Sequence, residues 1–132
     1  MSRVALLAAL LAGAIAPASA AAIVSFHLPS NNIRCAILKT GVRCDIQRKS
    51  FHSPPKPNSC EFDWGQSIGL ARQGKAHFNC VSDATDPGSE LAYGDSIARH
   101  RFRCESLSSG VRCVNKRNGH GFKLSRESYR FF

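Results

Sequence analysis

His100, His120 and Lys116 stand close together in a basic stretch near the end of the chain. Two histidines and a lysine can serve a phosphodiester as acid, base and phosphate clamp. The fold would have to bring the two rings to either side of one phosphate; nothing in the spacing shows that, and no motif ties them together. Surface histidines are the plainer reading. His27, His52 and His77 complete the set, and none of the five forms H-x-H, H-E-x-x-H or H-x3-H. Metal binding therefore has no sequence support. Glu61 and Asp63 flank Phe62 beside Trp64, the only tryptophan. A sugar-cleaving pair needs two carboxylates about 5–10 Å apart across a cleft. A strand-end pair beside a packed tryptophan is the simpler account. There is no G-x-S-x-G, no Gly-rich phosphate loop and no C-x-x-C, so no catalytic residue and no cofactor is assigned.

The arginines are more informative. The chain carries 18 Lys and Arg against nine Asp and Glu. Residues 21–98 hold eight positive and seven negative charges, whereas residues 99–132 hold nine positive and two negative. The excess is thus confined to the last quarter, where Arg99, Arg126 and Arg130 accompany Phe102, Phe122, Tyr129, Phe131 and Phe132. Arg101, Arg103, Arg112, Lys116, Arg117 and Lys123 are the candidate anion-binding residues. Guanidinium forks take phosphate or carboxylate bidentately, and exposed aromatics stack on bases or sugars. The competing account makes the phenylalanines core and the arginines their wet neighbours, by ordinary strand alternation.

The start of the chain reads as a leader. Arg3 precedes the apolar run Val4 to Ala16, and Ala18 and Ala20 give the small-residue pattern at which signal peptides are cut. The run is too short for a bilayer, which needs roughly 20 apolar residues. Residues 1–20 are therefore expected to be a cleaved signal peptide. Residues 21–132 form one domain, exported to the periplasm or the medium, with no transmembrane segment after processing.

The six cysteines, Cys35, Cys44, Cys60, Cys80, Cys104 and Cys113, all fall in that domain. An even number in a short exported chain reads as a disulfide framework. There is no C-x2-C pair and no histidine at ligand spacing, so zinc is not expected. Two pairs belong to a repeat. Arg34-Cys35-Ala36-Ile37-Leu38-Lys39-Thr40-Gly41-Val42-Arg43-Cys44 matches Arg103-Cys104-Glu105-Ser106-Leu107-Ser108-Ser109-Gly110-Val111-Arg112-Cys113 at seven of eleven positions. Each copy reads as a β-hairpin. Setting Cys35 opposite Cys44 also sets Ile33 against Ile46 and Ile37 against Val42, so one face is wholly apolar. Arg34 then opposes Asp45 on the outer face, and the loop is Leu38–Gly41 with a left-handed glycine. The second copy places Phe102 against Asn115 and Ser106 against Val111 inside, with Glu105 against Arg112 outside. It also gathers Arg101, Arg103 and Lys116 on one outer face. Like charges there destabilise a sheet, which points weakly to an anionic ligand. The expected bridges are Cys35–Cys44, Cys104–Cys113 and, as the pair left over, Cys60–Cys80. Six cysteines allow 15 pairings, so this connectivity is inference.

Elsewhere, Ile23 to Leu28 alternates as a strand, and Phe51 to Ser59, with three prolines, is a surface loop or arm. Ser67 to Arg72 and Lys75 to Val81 read as a hairpin around Gln73-Gly74. Phe122 and Leu124 mark a last strand, and Ser125 to Phe132 has room for one helical turn. The expectation is an all-β fold of seven to nine short strands, a disulfide-stapled sandwich or barrel with two pseudo-repeated hairpins.

Several motifs together are familiar: Asn32-Ile33-Arg34-Cys35, Gly41-Val42-Arg43-Cys44-Asp45-Ile46, Asp63-Trp64-Gly65, Ala76-His77-Phe78-Asn79-Cys80, Leu91-Ala92-Tyr93-Gly94, Gly110-Val111-Arg112-Cys113-Val114-Asn115 and Gly119-His120-Gly121-Phe122. The chain resembles a family of small exported bacterial proteins of unknown function. The resemblance implies an envelope or secreted setting and supplies no catalytic residues. The leading expectation is a non-enzymatic binding module whose partner is an anionic envelope polymer, a lipid headgroup or a secreted protein. The alternatives are a small nuclease-like hydrolase using His100 or His120, and an inhibitor of a secreted enzyme presenting the proline loop.

Overall fold

Alternation of apolar and polar residues, strict in Gly41–Ile46 and Phe102–Leu107, gives a strand one buried and one open face, and two sheets of such strands must bury those faces against each other. The computed structural model describes residues 23–132 and, ahead of them, only Ala5 and Gly13. But for those two positions, the leader assigned to residues 1–20 lies outside the described residues. The strands are β1 (Ile23–His27), β2 (Ile33–Leu38), β3 (Gly41–Ile46), β4 (Ser67–Ala71), β5 (His77–Phe78), β6 (Ser89–Glu90), β7 (Ser96–Arg99), β8 (Phe102–Leu107), β9 (Gly110–Asn115), β10 (Gly121–Leu124) and β11 (Tyr129–Phe131). One sheet has the order β5-β4-β3-β2-β1-β6 and the other β11-β10-β9-β8-β7. Both sheets keep free edges, so the architecture is a sandwich and not a closed barrel.

The strand orders reveal a duplication larger than the hairpin. β1–β5 and β7–β11 are each an antiparallel meander of five strands in the same order. Their registers correspond. One inward row reads Phe26, Cys35, Cys44, Ile68, Phe78 across the first sheet. Its counterpart reads Ile97, Cys104, Cys113, Phe122, Phe131. β6 has no counterpart and adds to the first sheet by parallel pairing with β1.

The rows meet in the core. Cys35 is joined to Cys44 and Cys104 to Cys113 across their hairpins, and Cys44 Sγ lies 3.9 Å from Cys113 Sγ of the facing sheet. Phe102 and Phe122 are fully buried beside them. Each such side chain contributes about 1.5–3 kcal/mol through burial, and each bridge on the order of 2–4 kcal/mol. Ser106 is buried there without a hydrogen-bond partner for its hydroxyl, at the place where the first copy has Ile37. Rings close one side: Phe78 meets Tyr129 edge-on at 4.9 Å, Trp64 at 5.8 Å and Phe131 at 5.6 Å.

Three local expectations are corrected. Ser125–Phe132 is no helical turn, because Tyr129–Phe131 pairs with β10 and puts Tyr129 and Phe131 into the aromatic cluster. Eleven strands are present among the described residues, since two- and three-residue edge strands carry too few side chains to show a period. The hairpin loops have two residues, Lys39-Thr40 and Ser108-Ser109, because Leu38 pairs with Gly41 and Leu107 with Gly110.

The two glycines make room for equivalent neighbours. A Cβ on Gly41 would lie 2.5 Å from the carbonyl oxygen of Leu70, and one on Gly110 would collide with that of Leu124. Gly110 also has φ +125°, where L side chains are strained. Close approach of β4 or β10 thus requires glycine in each copy.

Candidate functional site

The outer faces of the two sheets have diverged. On the first sheet, Arg43 pairs with Asp45 at 2.9 Å and with Asp83 at 3.1 Å. Asp83 belongs to the segment 79–88, which crosses this face from β5 at one edge to β6 at the other. Thr85 of that strap gives Asp45 two hydrogen bonds, from its amide at 3.1 Å and its hydroxyl at 2.6 Å. His27 Nδ1 lies 2.8 Å from the Pro87 carbonyl oxygen, and Gly88 packs on the Ser25 backbone. Burial alone would raise the Asp45 carboxyl. Hydrogen bonds from Arg43, Thr85 and Ser67 outweigh it and hold the group below its ordinary value of 3.8.

The register does set Arg34 opposite Asp45, but Arg43, two residues back on Asp45's own strand, takes the carboxylate. Residues i and i+2 share a face, so that pair forms within one strand. Arg34 lines a cavity of about 330 Å³ beside the strap, together with Trp64, Asp63 and Gln66.

On the second sheet the equivalent outer row runs Ser96, Glu105, Arg112, Lys123, Arg130 in direct register. Three cations therefore stand opposite one another on adjacent strands, an arrangement that costs stability. Glu105 is engaged by Arg103 at 3.4 Å. Among the described residues, none of Arg112, Lys123 and Arg130 has an acid within ion-pair distance. Phe132 lies among them, 4.7 Å from the Arg112 guanidinium and 5.4 Å from that of Arg130. Cation–π contact holds the two heads in place without neutralising them.

A second basic group occupies one end of the sandwich. Lys39 from the β2–β3 turn, Arg72 after β4, His100 and Arg101 from the β7–β8 turn and Arg117 from the β9–β10 turn line a cavity of about 320 Å³ that contains no acid. Asn115 organises it: its amide donates to the Arg72 carbonyl at 3.0 Å and its side-chain oxygen accepts from the Arg117 backbone at 3.0 Å. Loss of hydration, with the charges of Arg72 and Arg117, pulls the Arg101 guanidinium below the ordinary arginine value.

The six candidate anion-binding residues are thus divided. Arg112 and Lys123 lie in the sheet-face row, and Arg101 and Arg117 line the end cavity. Arg103 is ion-paired to Glu105, and Lys116 is exposed in the β9–β10 turn. Arg101 and Lys116 face each other just beyond the ends of β8 and β9, where the Lys116 amide donates to the Arg101 carbonyl at 2.8 Å, and Arg103 two residues further in is the member of the trio that is ion-paired. Four further basic residues join these groups: Arg130, which the basic stretch contains but which enters the row only through β11, and Lys39, Arg72 and His100, which lie in turns whose convergence depends on topology. Phe102 and Phe122 are core, as ordinary strand alternation has it, and Phe132 is the aromatic that meets the cations.

The remaining chemistry does not assemble. His100 lines the end cavity, whereas His120 does not. The His120 ring nitrogen Nδ1 lies 3.4 Å from the Phe132 carbonyl oxygen. Glu61 and Asp63 are in irregular chain between Cys60 and β4, not on a strand face. Among the described residues, no three of His, Cys, Asp and Glu gather where they could hold a metal ion. No helix among them is long and apolar enough to cross a membrane. The proline loop is fixed by Trp64, whose indole N–H donates to the Pro54 carbonyl at 2.8 Å. Cys60 is joined to Cys80, anchoring this loop beside the start of the strap.

A family model covers residues 5–132 and is described as a family of unknown function, DUF6636. The chain belongs to this family. No match was found among the curated proteins or the solved structures. Membership spans all of both meanders, so the paired basic groups and the strap lie within the family's common length. Three disulfides in so small a domain are typical of extracellular or periplasmic proteins.

Proposed function

We propose that the protein is an exported, non-enzymatic binding module that engages an anionic polymer of the bacterial envelope or its surroundings. The outer face of the second sheet is the contact surface. The observation that carries this reading is the row Arg112, Lys123, Arg130, three cross-strand cations with no ion-pair partner among the described residues. The same arginine of the repeat is neutralised in the first copy, as Arg43, and left open in the second, as Arg112. The cost of like charges set in cross-strand register falls on the open face. Phe132 supplies a ring for stacking on a sugar or base. Arg103 on β8 lies two residues from Arg101 of the β7–β8 turn, so the face adjoins the basic end. A polymer laid across the sheet reaches both groups, whereas a single small anion fills one.

Cleavage of a leader after Ala20 and export belong to this reading. The A-x-A pattern and the three bridges support it.

The test is retention on immobilised dextran sulfate along a salt gradient. Wild-type protein elutes late, and the variant Arg112→Ser/Lys123→Ser/Arg130→Ser elutes much earlier. A charge-matched control, Arg48→Ser/Lys56→Ser/Arg126→Ser, elutes close to wild type. Equal losses in the two triple variants would reduce the effect to net charge and remove the site. Retention on anionic lipid vesicles with none on the polymer would overturn the polymer in favour of a membrane surface.

A further inference from the structure

The cavity beside the strap holds a different chemistry. Its floor is the outer face of the first sheet at Arg34, Asp45 and Ser67, which share one row across β2, β3 and β4. One wall is Asp63-Trp64, and the other is the strap from Val81 to Thr85. The two walls are tied together: the Val81 amide donates to the Asp63 carbonyl at 3.1 Å, and the Asp63 amide to Ser82 Oγ at 3.3 Å. The Cys60–Cys80 bridge clamps them just outside. The cavity is therefore built on a sheet and a disulfide and not on loose loops.

Its charges are unequally satisfied. Arg43 is committed to Asp45 and Asp83. Arg34 makes no ion pair or side-chain hydrogen bond with any described residue, and its Nε is buried without a partner. A buried guanidinium N–H without an acceptor costs free energy that a bound carboxylate would return. The Asp63 carboxylate is exposed and likewise has no hydrogen-bond partner among the described residues. One cation and one anion thus remain open on the same cavity, beside the apolar surfaces of Trp64, Val81 and Ala84. A dianion would face Asp63 unscreened, and a simple cation would face Arg34. The ligand that matches both is a zwitterion with an apolar body.

We infer that this cavity binds a free α-amino acid with an apolar side chain. Arg34 takes the carboxylate, Asp63 takes the ammonium, and the side chain lies against Trp64. The volume, about 330 Å³, is at the small end of ordinary ligand sites and suits a single amino acid better than a polymer.

Trp64 is the only tryptophan and lines this cavity, so its fluorescence responds to binding there. The oxidised protein is titrated with the standard amino acids up to about 10 mM, a range that reaches millimolar affinity. L-leucine is expected to give a saturable change. Leucine methyl ester, which lacks the carboxylate, and N-acetyl-leucine, which lacks the ammonium, are each expected to bind roughly tenfold more weakly or worse. Arg34→Gln should weaken leucine to the level of the ester. Asp63→Asn, an exposed change that does not threaten folding, should close the gap between leucine and N-acetyl-leucine. Absence of a saturable response to every amino acid would overturn the inference, as would equal binding of leucine and its ester. Should Arg34→Gln fail to fold, the ester, the acetyl derivative and Asp63→Asn decide the matter.

Discussion

Asp45 is the residue on which the strap depends. It accepts from Arg43 and Thr85 at once, and its carboxyl is held below 3.8. A carboxyl depressed in the folded state stabilises the fold fully above its unfolded value and ceases to do so as pH falls through the lower folded value. Stability is therefore expected to be flat from neutral pH to about pH 4 on this account and to decline below it. Asp45→Asn should cost about 1–3 kcal/mol at neutral pH, because it leaves Arg43 with a neutral acceptor. Wild type and variant should converge in acid. Urea midpoints measured from pH 7 to pH 2 check both statements, and a constant gap across that range would contradict them. The equivalent arginine, Arg112, rests against Phe132 instead of an acid, and the difference between the copies begins there.

At the scale of elements, the hairpins were legible and their covering was not. The register followed from three apolar pairs that any one-residue slip would have exposed. The paired cysteines then fell opposite each other. In the first copy the glycine is needed for space and not for a left-handed turn, since Gly41 is not among the positive-φ residues. Gly41 starts β3 and leaves room for the Leu70 carbonyl, an approach made by a strand some 30 positions later in the chain. Gly110→Ala combines that steric conflict with a strained φ and should cost about 2–3 kcal/mol. Gly74→Ala has open space around it, though its φ of +82° carries strain of its own, and should cost less. Chemical denaturation of the two variants gives the comparison, and equal losses would show that the Leu124 carbonyl is not the constraint. The strap could not be read from the sequence, because Ser82 to Ser89 is polar and turn-rich like any surface loop. It becomes an element only through Arg43, Asp45 and His27, which lie far away in sequence.

At the scale of the whole molecule, the protein is two copies of one meander, packed through facing disulfides, with opposite treatment of their outer faces. On the first face the repeat's arginine, Arg43, is neutralised and strapped, and on the second its counterpart lies in an open cationic row. The charge asymmetry between residues 21–98 and 99–132 was plain in the sequence, and it maps onto this division. Which cations act together was not plain. Turns from both sheets converge at one end, and Arg130 joins its row only because β11 exists. The central claim is that a polyanion lies on the second sheet, and the most direct measurement is a lysine-labelling footprint. Amine acetylation is followed residue by residue with and without dextran sulfate. The account predicts strong protection of Lys123 and none of Lys56, which is exposed in the proline loop. Equal protection of Lys56 and Lys123, or none of either while the polymer is bound, would contradict it.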